Sequence, residues 1–517
     1  MVIRMKDVGL LVLRGSRQSI EQKLQDGGLL KSAMEKVRKR LYVKLELPSY
    51  EHTNQQVQSD MEVLVPMAYL KGSIAMADAL AKNKLNGSFV ELDMRVLLGR
   101  QRQLEVDEIF EEQEDGCVLT TKDTSAPVQL SSCNSWPLKS KKPFNSVVIG
   151  GTFDRIHNGH KVLLSAAVLF TNRVLTCGIT DTQMIKNKKL KELIAPVEQR
   201  CKEVEEFVLD VSDGIEIRAV PISDPFGPSI VDPEMECIVV SPETFKGGQA
   251  VNHERQAREL STLTIHTITL VDSEVDNVLN ETKLSSSAKR RQALGSLLRE
   301  PKIYVPGQLI EGAVAYVIGL TGGICSGKSH IASYLLKKYG NDFEVIDCDK
   351  LGHQVYAESA ELRHQLAQTF GPVVIKDGLI DRKALGAIVF GDKAQLQKLS
   401  QMVWPFIAEK AKNIIRSLPN NKVAVLDAAV LLEAGWDSFV HQVWTTFVPR
   451  EEAVKRVCGR DNLTTQQAES RVDSQLTNEQ RIAKSNVVLC SLWDYKETES
   501  QVDKAVGILN TKYRPKQ

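Results

Sequence analysis

Neither sign of charge dominates this 517-residue sequence: 66 lysines and arginines face 65 aspartates and glutamates, a formal net charge of +1. Such balance removes the basic face or tail that general nucleic-acid binding needs, so no nucleic-acid partner is expected. Long apolar runs are missing too. No stretch approaches the ~20 apolar residues that cross a bilayer, and no transmembrane segment is expected. The mildly basic start, MVIRMKDVGLLVLRGSRQ, has in Leu10–Leu13 an apolar run too short for a signal-peptide core. Its basic residues leave mitochondrial association open beside a cytoplasmic location. The 9 cysteines form no C-x-x-C pair and no Cys/His metal spacing, which excludes a disulfide framework or a structural zinc and reads as reduced thiols. What is present, 42% hydrophobic and 25% charged residues, is ordinary for a globular chain. At ~150 residues each, about three domains fit this length.

Two stretches lose hydrophobic periodicity and read as linkers, residues 113–143 and 301–312. They leave three segments, 1–112, 144–300 and 313–517. The first holds strand-like runs at Gly9–Leu13 and Leu41–Leu47 and a helical pattern over 67–82. No cluster of chemistry-bearing residues marks it, and its role is open; protein partners are the expectation there. The second and third segments alternate short β-branched runs with amphipathic helices, the pattern of parallel α/β sheets. Ser146–Gly150, Arg173–Thr180, Val314–Leu320, Glu344–Asp347 and Val423–Leu426 are predicted strands. Helices are predicted over 160–170 and 329–338.

After the strand SVVIG comes Gly150-Gly151-Thr152-Phe153-Asp154-Arg155-Ile156-His157-Asn158-Gly159-His160, then an apolar helix. A glycine-bearing strand-to-helix turn exposes backbone N–H groups and the positive end of a helix dipole, which favours phosphate. Two histidines three apart at the helix entrance can both donate to phosphoryl oxygens as charge builds. The bland alternative is a metal pair or two surface histidines. Downstream, Lys283-Leu284-Ser285-Ser286-Ser287-Ala288-Lys289-Arg290 precedes a helical pattern running to Leu298. Serines at a helix start cap it and offer hydroxyls, and Arg290 lies one turn in. A capped helix with a solvated basic face is the alternative reading.

The third segment opens with a strand and Gly322-Gly323-Ile324-Cys325-Ser326-Gly327-Lys328-Ser329, a full G-x-x-x-x-G-K-S between strand and helix. Its amides cradle phosphates, Lys328 reaches the β/γ-phosphates and the Ser329 hydroxyl ligates Mg²⁺. Asp347 and Asp349 follow the next strand and can accept a hydroxyl proton or hold the Mg²⁺ shell, unless they simply end a solvated strand. Asp427 ends an apolar strand, as a second metal carboxylate or as a structural cap. Arg456, Arg460 and Arg471 suit a mobile lid or an ordinary charge-laced surface.

GTFDRIHNGH with KLSSSAKR resembles the nucleotidyltransferase superfamily and, within it, phosphopantetheine adenylyltransferases. The resemblance implies attack of the 4′-phosphate of phosphopantetheine on the α-phosphate of ATP, with no enzyme nucleophile. His157 and His160 would hold the phosphates, with His160 catalytic and Thr152 beside the reacting group. Ser285, Ser286, Ser287 and Arg290 would bind the β/γ-phosphates. Of Lys186, Lys188 and Lys189, Lys186 is taken as the assisting lysine. GLTGGICSGKS, IDCDKLGH, DGLIDRKALGAIVF and LDAAVLLEAGW are similarly those of dephospho-CoA kinases. That likeness makes Asp347 the general base on the ribose 3′-hydroxyl, Lys328 a catalytic cation, Arg460 a lid residue, and Asp377 and Arg382 acceptor-side residues. Mg²⁺ is assigned to Ser329, with Asp349 and Asp427 as further ligands. In chain order the two likenesses match the animal-type bifunctional coenzyme A synthase family. The implied fold is a Rossmann-like nucleotidyltransferase domain followed by a P-loop kinase domain, with an N-terminal α/β region. The implied small-molecule substrates are ATP, 4′-phosphopantetheine and dephospho-CoA. A nicotinamide-nucleotide adenylyltransferase fused to a riboside kinase, or a nucleotide-binding scaffold with one inactive site, are the rivals.

Overall fold

The computed structural model describes residues 6–47, 54–82, 92–98, 104–112, 119–123, 142–268, 286–389 and 391–513. The chain divides into two units, Met1–Arg290 and Arg291–Gln517.

The first unit begins β1 (Lys6–Arg14), α1 (Arg17–Asp26), α2 (Gly28–Met34), β2 (Val37–Glu46), α3 (Asn54–Lys82), β3 (Asp93–Val96), β4 (Glu108–Glu112) and β5 (Leu119–Asp123). These strands form a sheet in the order β3-β2-β1-β4-β5, parallel except for the β4–β5 pair. The consecutive buried side chains of Leu10–Leu13 suit a strand covered on both faces. Ser16 caps α1 through the Ser19 N–H, and Gly27 ends it in the left-handed region. Strand β5 falls inside the stretch read as a linker. Its LTTKD carries no apolar alternation and is recruited by pairing with β4.

The second sheet of this unit runs β6 (Phe144–Gly151), α4 (Asn158–Phe170), β7 (Thr171–Thr180), α5 (Thr182–Ile185), α6 (Val197–Val211), β8 (Glu216–Ile222), β9 (Cys237–Val240), α7 (Phe245–Ala257) and β10 (Thr264–Thr267). Its order is β10-β9-β6-β7-β8, all parallel. The apolar core is continuous between the two sheets: Leu41, Leu64 and Ala68 share it with Leu164, Val168 and Phe207. A last helix, Ser286–Ala293, stops five residues short of the predicted Leu298, in a turn where Gly295 takes φ +70°.

In the second unit β11 (Tyr316–Gly322), β12 (Phe343–Asp347), β15 (Val423–Asp427), β16 (Gln442–Phe447) and β17 (Val487–Cys490) form a parallel sheet ordered β12-β15-β11-β16-β17. A two-stranded hairpin, β13 (Ile375–Lys376) and β14 (Leu379–Ile380), stands apart from it. Side chains of β11 alternate between faces. Val317 joins Leu426, Leu431 and Val443 on one face, and Ile318 and Leu320 join Ile331, Leu335 and Val502 on the other. Among the described residues no helix is long and apolar enough to cross a membrane. In both units a motif-bearing loop leaves the central strand, β6 or β11, where connections depart to opposite sides. Such switch points at strand C-termini are where open α/β sheets bind ligands.

Candidate active sites

Beyond Gly151 the chain turns sharply, with Phe153 at φ +46° and Arg155 at φ +50°. Left-handed backbone at non-glycine residues is uncommon and persists where the surroundings hold it. Here the fully buried Phe153 side chain and the buried Asp154 hold it. His157 is the N-cap residue of α4, and its ring stacks on His160 with centroids 3.9 Å apart and planes 23° from parallel. Phe153 backs His160 at 5.2 Å. Both Nδ1 atoms are buried without a hydrogen-bond partner. Burial pushes the His157 pKa down to about 4, against the pull of Asp154. Burial, and then His157 itself, hold His160 well below the imidazole range. A phosphate anion arriving here would supply the missing partners and reverse both shifts.

Thr152 Oγ1 accepts from Thr180 Oγ1 at 3.1 Å, and its carbonyl accepts from Arg200 Nη1 at 2.6 Å. Arg200 also donates to the Thr180 and Ala195 carbonyls. This buried arginine ties the ends of β6 and β7 together, and no sequence motif signals it. Arg290 lies against the same turn. Its Nη1 is 2.8 Å from Asp154 Oδ2, with side-chain exposures of 1% and 0%. It also donates to the Lys189 carbonyl and to Ser287 Oγ. The structure therefore brings the downstream motif to the histidine turn, with the guanidinium committed to a buried ion pair. Ser286 opens that helix, while Ser285 lies outside the described residues. Of the three candidate lysines, Lys188 adds to the lowering of the His160 pKa. The Lys188 pKa is lowered by partial burial and by Arg290.

The phosphate loop of the second unit connects β11 to the helix Lys328–Tyr339. A Cβ at Gly322 would lie 2.5 Å from both Ser326 Oγ and the Thr446 carbonyl, so only glycine fits. Gly327, at φ +89°, would press against Ser491. The Ser326 carbonyl accepts from Thr446 Oγ1 and Ser491 Oγ. Arg456 braces the loop by donating to the Cys325 carbonyl at 3.3 Å and the Ser491 carbonyl at 2.7 Å. The Ile324 N–H donates to Gln475 Oε1 at 2.8 Å, so a side-chain oxygen sits where a phosphate oxygen would. The sequence carried no signal for Gln475.

Lys328 pairs with Asp427. Burial raises the Asp427 pKa, Asp347 and Asp349 add to the rise, and Lys328 opposes it. Asp347 caps the helix Cys348–Glu358 by accepting from the Lys350 N–H at 2.9 Å. Burial works to raise its pKa, but Lys350 holds it below the carboxylate range, ionised and able to accept a proton. Among the described residues no three His, Cys, Asp or Glu side chains form a metal cage. The chemistry suits Mg²⁺ bound by a hydroxyl, one carboxylate and nucleotide phosphates. Ser329 with Asp427, desolvated and paired with Lys328, fits that description.

Arg460 is held by Asp461 at 2.7 Å, and the same carboxylate holds Arg471 at 2.7 Å. Arg450 pairs with Asp473 and Glu469, so ion pairs staple the helices Arg450–Asp461 and Thr465–Asp473 to each other. On the acceptor side, Arg382 Nη2 lies 3.1 Å from His353 Nε2. Asp377 sits at the tip of the β13–β14 hairpin with φ +52°, followed by Gly378 at φ +76°. Both φ values are those of a primed Asp-Gly hairpin turn. Asp381 accepts from the N–H groups of Lys383 and Ala384, and so starts the helix that carries Arg382.

Residues 148–292 match the cytidylyltransferase-like family and residues 316–492 the dephospho-CoA kinase family. A phosphopantetheine adenylyltransferase of Saccharomyces cerevisiae is 40% identical over 153 residues, which are 30% of this chain and 50% of the yeast protein. A dephospho-CoA kinase of Geobacter sulfurreducens is 36% identical over 190 residues, covering 36% of this chain and 95% of that protein. The solved dephospho-CoA kinase of Campylobacter jejuni is 25% identical, covers 38% of this chain and 97% of that one, and has a TM-score of 0.28. The chain thus spans half the length of the yeast relative and nearly all of both kinases.

Proposed function

Because the chain belongs, through residues 316–492, to the dephospho-CoA kinase family and carries a cytidylyltransferase-like segment ahead of it, we propose that it makes coenzyme A in two ATP-dependent steps. In the first, a 4′-phosphate oxygen of phosphopantetheine forms a bond to the α-phosphorus of ATP as the bond to the β-phosphate oxygen breaks. Dephospho-CoA and pyrophosphate result. His157 and His160 donate to the reacting phosphoryl oxygens, and no protein nucleophile is needed. Binding of the polyanion raises their depressed pKa values, so donors strengthen as substrate arrives. Thr152, Lys188 or Lys186, and Ser285, Ser286 and Ser287 contact the remaining phosphates, with Arg290 holding their helix in place.

In the second step Asp347 takes the proton of the ribose 3′-hydroxyl as its oxygen bonds to the γ-phosphorus and the bond to the β,γ-bridging oxygen breaks, giving coenzyme A and ADP. The P-loop amides and Lys328 hold the β/γ-phosphates, Lys328 exchanging Asp427 for them. Ser329 and Asp427, with Asp349 nearby, would hold Mg²⁺, which would supply charge neutralisation for the phosphates. Arg460 closes over the phosphates, and Arg382 faces the acceptor. A cytoplasmic location belongs to the same proposal.

The observation that carries this reading is the co-occurrence, in one chain, of the stacked histidine turn and a P-loop followed by the acceptor segment DGLIDRKALGAIVF. That segment, with the adenylyltransferase relative, does not favour the nicotinamide alternative. Purified protein given ATP, Mg²⁺ and 4′-phosphopantetheine, with products resolved by mass, tests it. Wild type should yield coenzyme A. Lys328→Ala should stop at dephospho-CoA, and His160→Ala should slow pyrophosphate formation by about 100-fold or more. No adenylated product from wild type would remove the assignment.

A further inference from the structure

The first turn of α4 presents two faces. His157 and His160 stack on one. Asn158 and Lys161, offset by about 100° per residue, project from the other, and Ser165 extends that face another turn. Among the described residues, the side-chain partners of Asn158 and Lys161 come from the N-terminal segment. Asn158 Nδ2 donates to Ser73 Oγ at 2.6 Å and to the Tyr69 carbonyl at 3.2 Å. Lys161 Nζ, almost fully buried, is 2.6 Å from Asp93 Oδ1 and 2.9 Å from the Met94 carbonyl. The buried Tyr69 hydroxyl accepts the Val96 N–H at 3.0 Å, which ties α3 to β3.

The brace is itself anchored. Asp93 is shared with Arg40 and Arg95, and Arg95 continues to Asp210 at the end of α6. Tyr42 reaches the same Asp210, and the Leu98 N–H donates to the Val211 carbonyl at 2.7 Å. Apolar packing of Val162 and Leu169 of α4 against α3 would by itself allow the helix to roll or slide. Directional bonds at Asn158 and Lys161 fix its rotation, and with it the aim of the two histidines one residue away.

We propose that the N-terminal segment is a positioning element of the adenylyl-transfer site, with Ser73 and the Asp93–Lys161 pair setting the rotation of the histidine helix. The inference rests on the adenylyltransferase reading of that site. Misplacing a catalytic group by about 1 Å can cost ~100-fold in rate, so partial loss of the brace should cost less. In the full chain, Ser73→Ala should lower kcat for pyrophosphate formation about 5- to 10-fold, with KM for ATP changed less than about twofold, and Ser73→Thr should restore most of it. Lys161→Met should cost more, while Asp93 keeps Arg40 and Arg95 as partners. Phosphorylation of added dephospho-CoA serves as the internal control and should stay unchanged.

Wild-type kcat in both Ser73→Ala and Lys161→Met overturns the inference. A loss that only tracks the folded fraction, with no rescue by threonine, also overturns it, since that is a structural role alone. A wild-type chain that forms no pyrophosphate removes the adenylyltransferase reading and this inference with it. Formation by wild type with indifferent variants removes only the inference.

Discussion

His441 enters the native state without its proton. It is buried, its Nδ1 accepts the Val317 N–H at 3.0 Å, and burial pushes its pKa from 6.5 down to about 4. An imidazolium could not accept that bond. Between these values the unfolded chain binds a proton that the folded chain excludes, so stability is full above pH 6.5 and falls as pH drops toward 4. At pH 5 the penalty is about 2 kcal/mol, from ~1.4 kcal/mol per pKa unit. Urea unfolding followed through the second unit should therefore show a lower midpoint at pH 5 than at pH 7. His441→Asn, which keeps an acceptor but does not titrate, should flatten the dependence. Equal pH slopes in both proteins would refute the account. Nothing around His441 in the sequence announces this, because the bond joins residues 124 positions apart. His157 and His160 were legible for the opposite reason: three positions on one helix turn put both rings together whatever the rest of the chain does. Arg200 and Gln475 resemble His441. Each reaches its site by a side chain whose partner is a distant backbone atom, and a motif records only neighbours in sequence.

Arg290 ties the short helix Ser286–Ala293 to the first unit through Asp154 and the Lys189 carbonyl. Arg290 and Asp154 are both fully buried and 2.8 Å apart. Removing one partner of such a pair leaves an uncompensated charge and costs about 3–5 kcal/mol, more than the pair itself contributes. Arg290→Met should lower the unfolding free energy of the first unit by that order and abolish pyrophosphate formation, with kinase activity retained. Denaturant titration beside the two separate assays checks it, and a variant as stable as wild type would contradict the geometry. The elements flanking this contact were readable where apolar periodicity was strong: β6, β7, β11 and β15 each begin or end within a few residues of their expected limits. They were not readable where pairing rather than side chains decides. Strand β5 is polar and exists through β4, and the helix expected to reach Leu298 ends at Ala293, with Leu297 drawn into a bridge with Val487. Asp377, placed on the acceptor side by the resemblance of its motif, sits at a hairpin tip whose φ values come from the Asp-Gly pair.

At the scale of the whole chain, the N-terminal segment carries no motif, and an interaction or localisation module was the natural expectation for it. Its packing argues differently. Val162 and Leu169 of α4 lie in one continuous core with Leu64, Val65 and Ala68 of α3. Removing residues 1–112 would expose that apolar face, at roughly 1.5–3 kcal/mol for each large side chain returned to water. It would also strand the Lys161 ammonium without Asp93. A domain of this size has a net stability of only about 5–15 kcal/mol, so two or three such losses suffice to unfold it. The second unit has separate cores of its own, built on residues 310–509. Deletion of 1–112 should therefore abolish pyrophosphate formation and expose dye-binding apolar surface, while phosphorylation of added dephospho-CoA stays within about twofold of wild type. The two assays on one preparation decide the matter. A truncated chain that transfers adenylyl groups at the wild-type kcat would return residues 1–112 to the role of an attached module. Loss of the first activity with retention of the second would make residues 1–112 an integral part of the fold of the first unit.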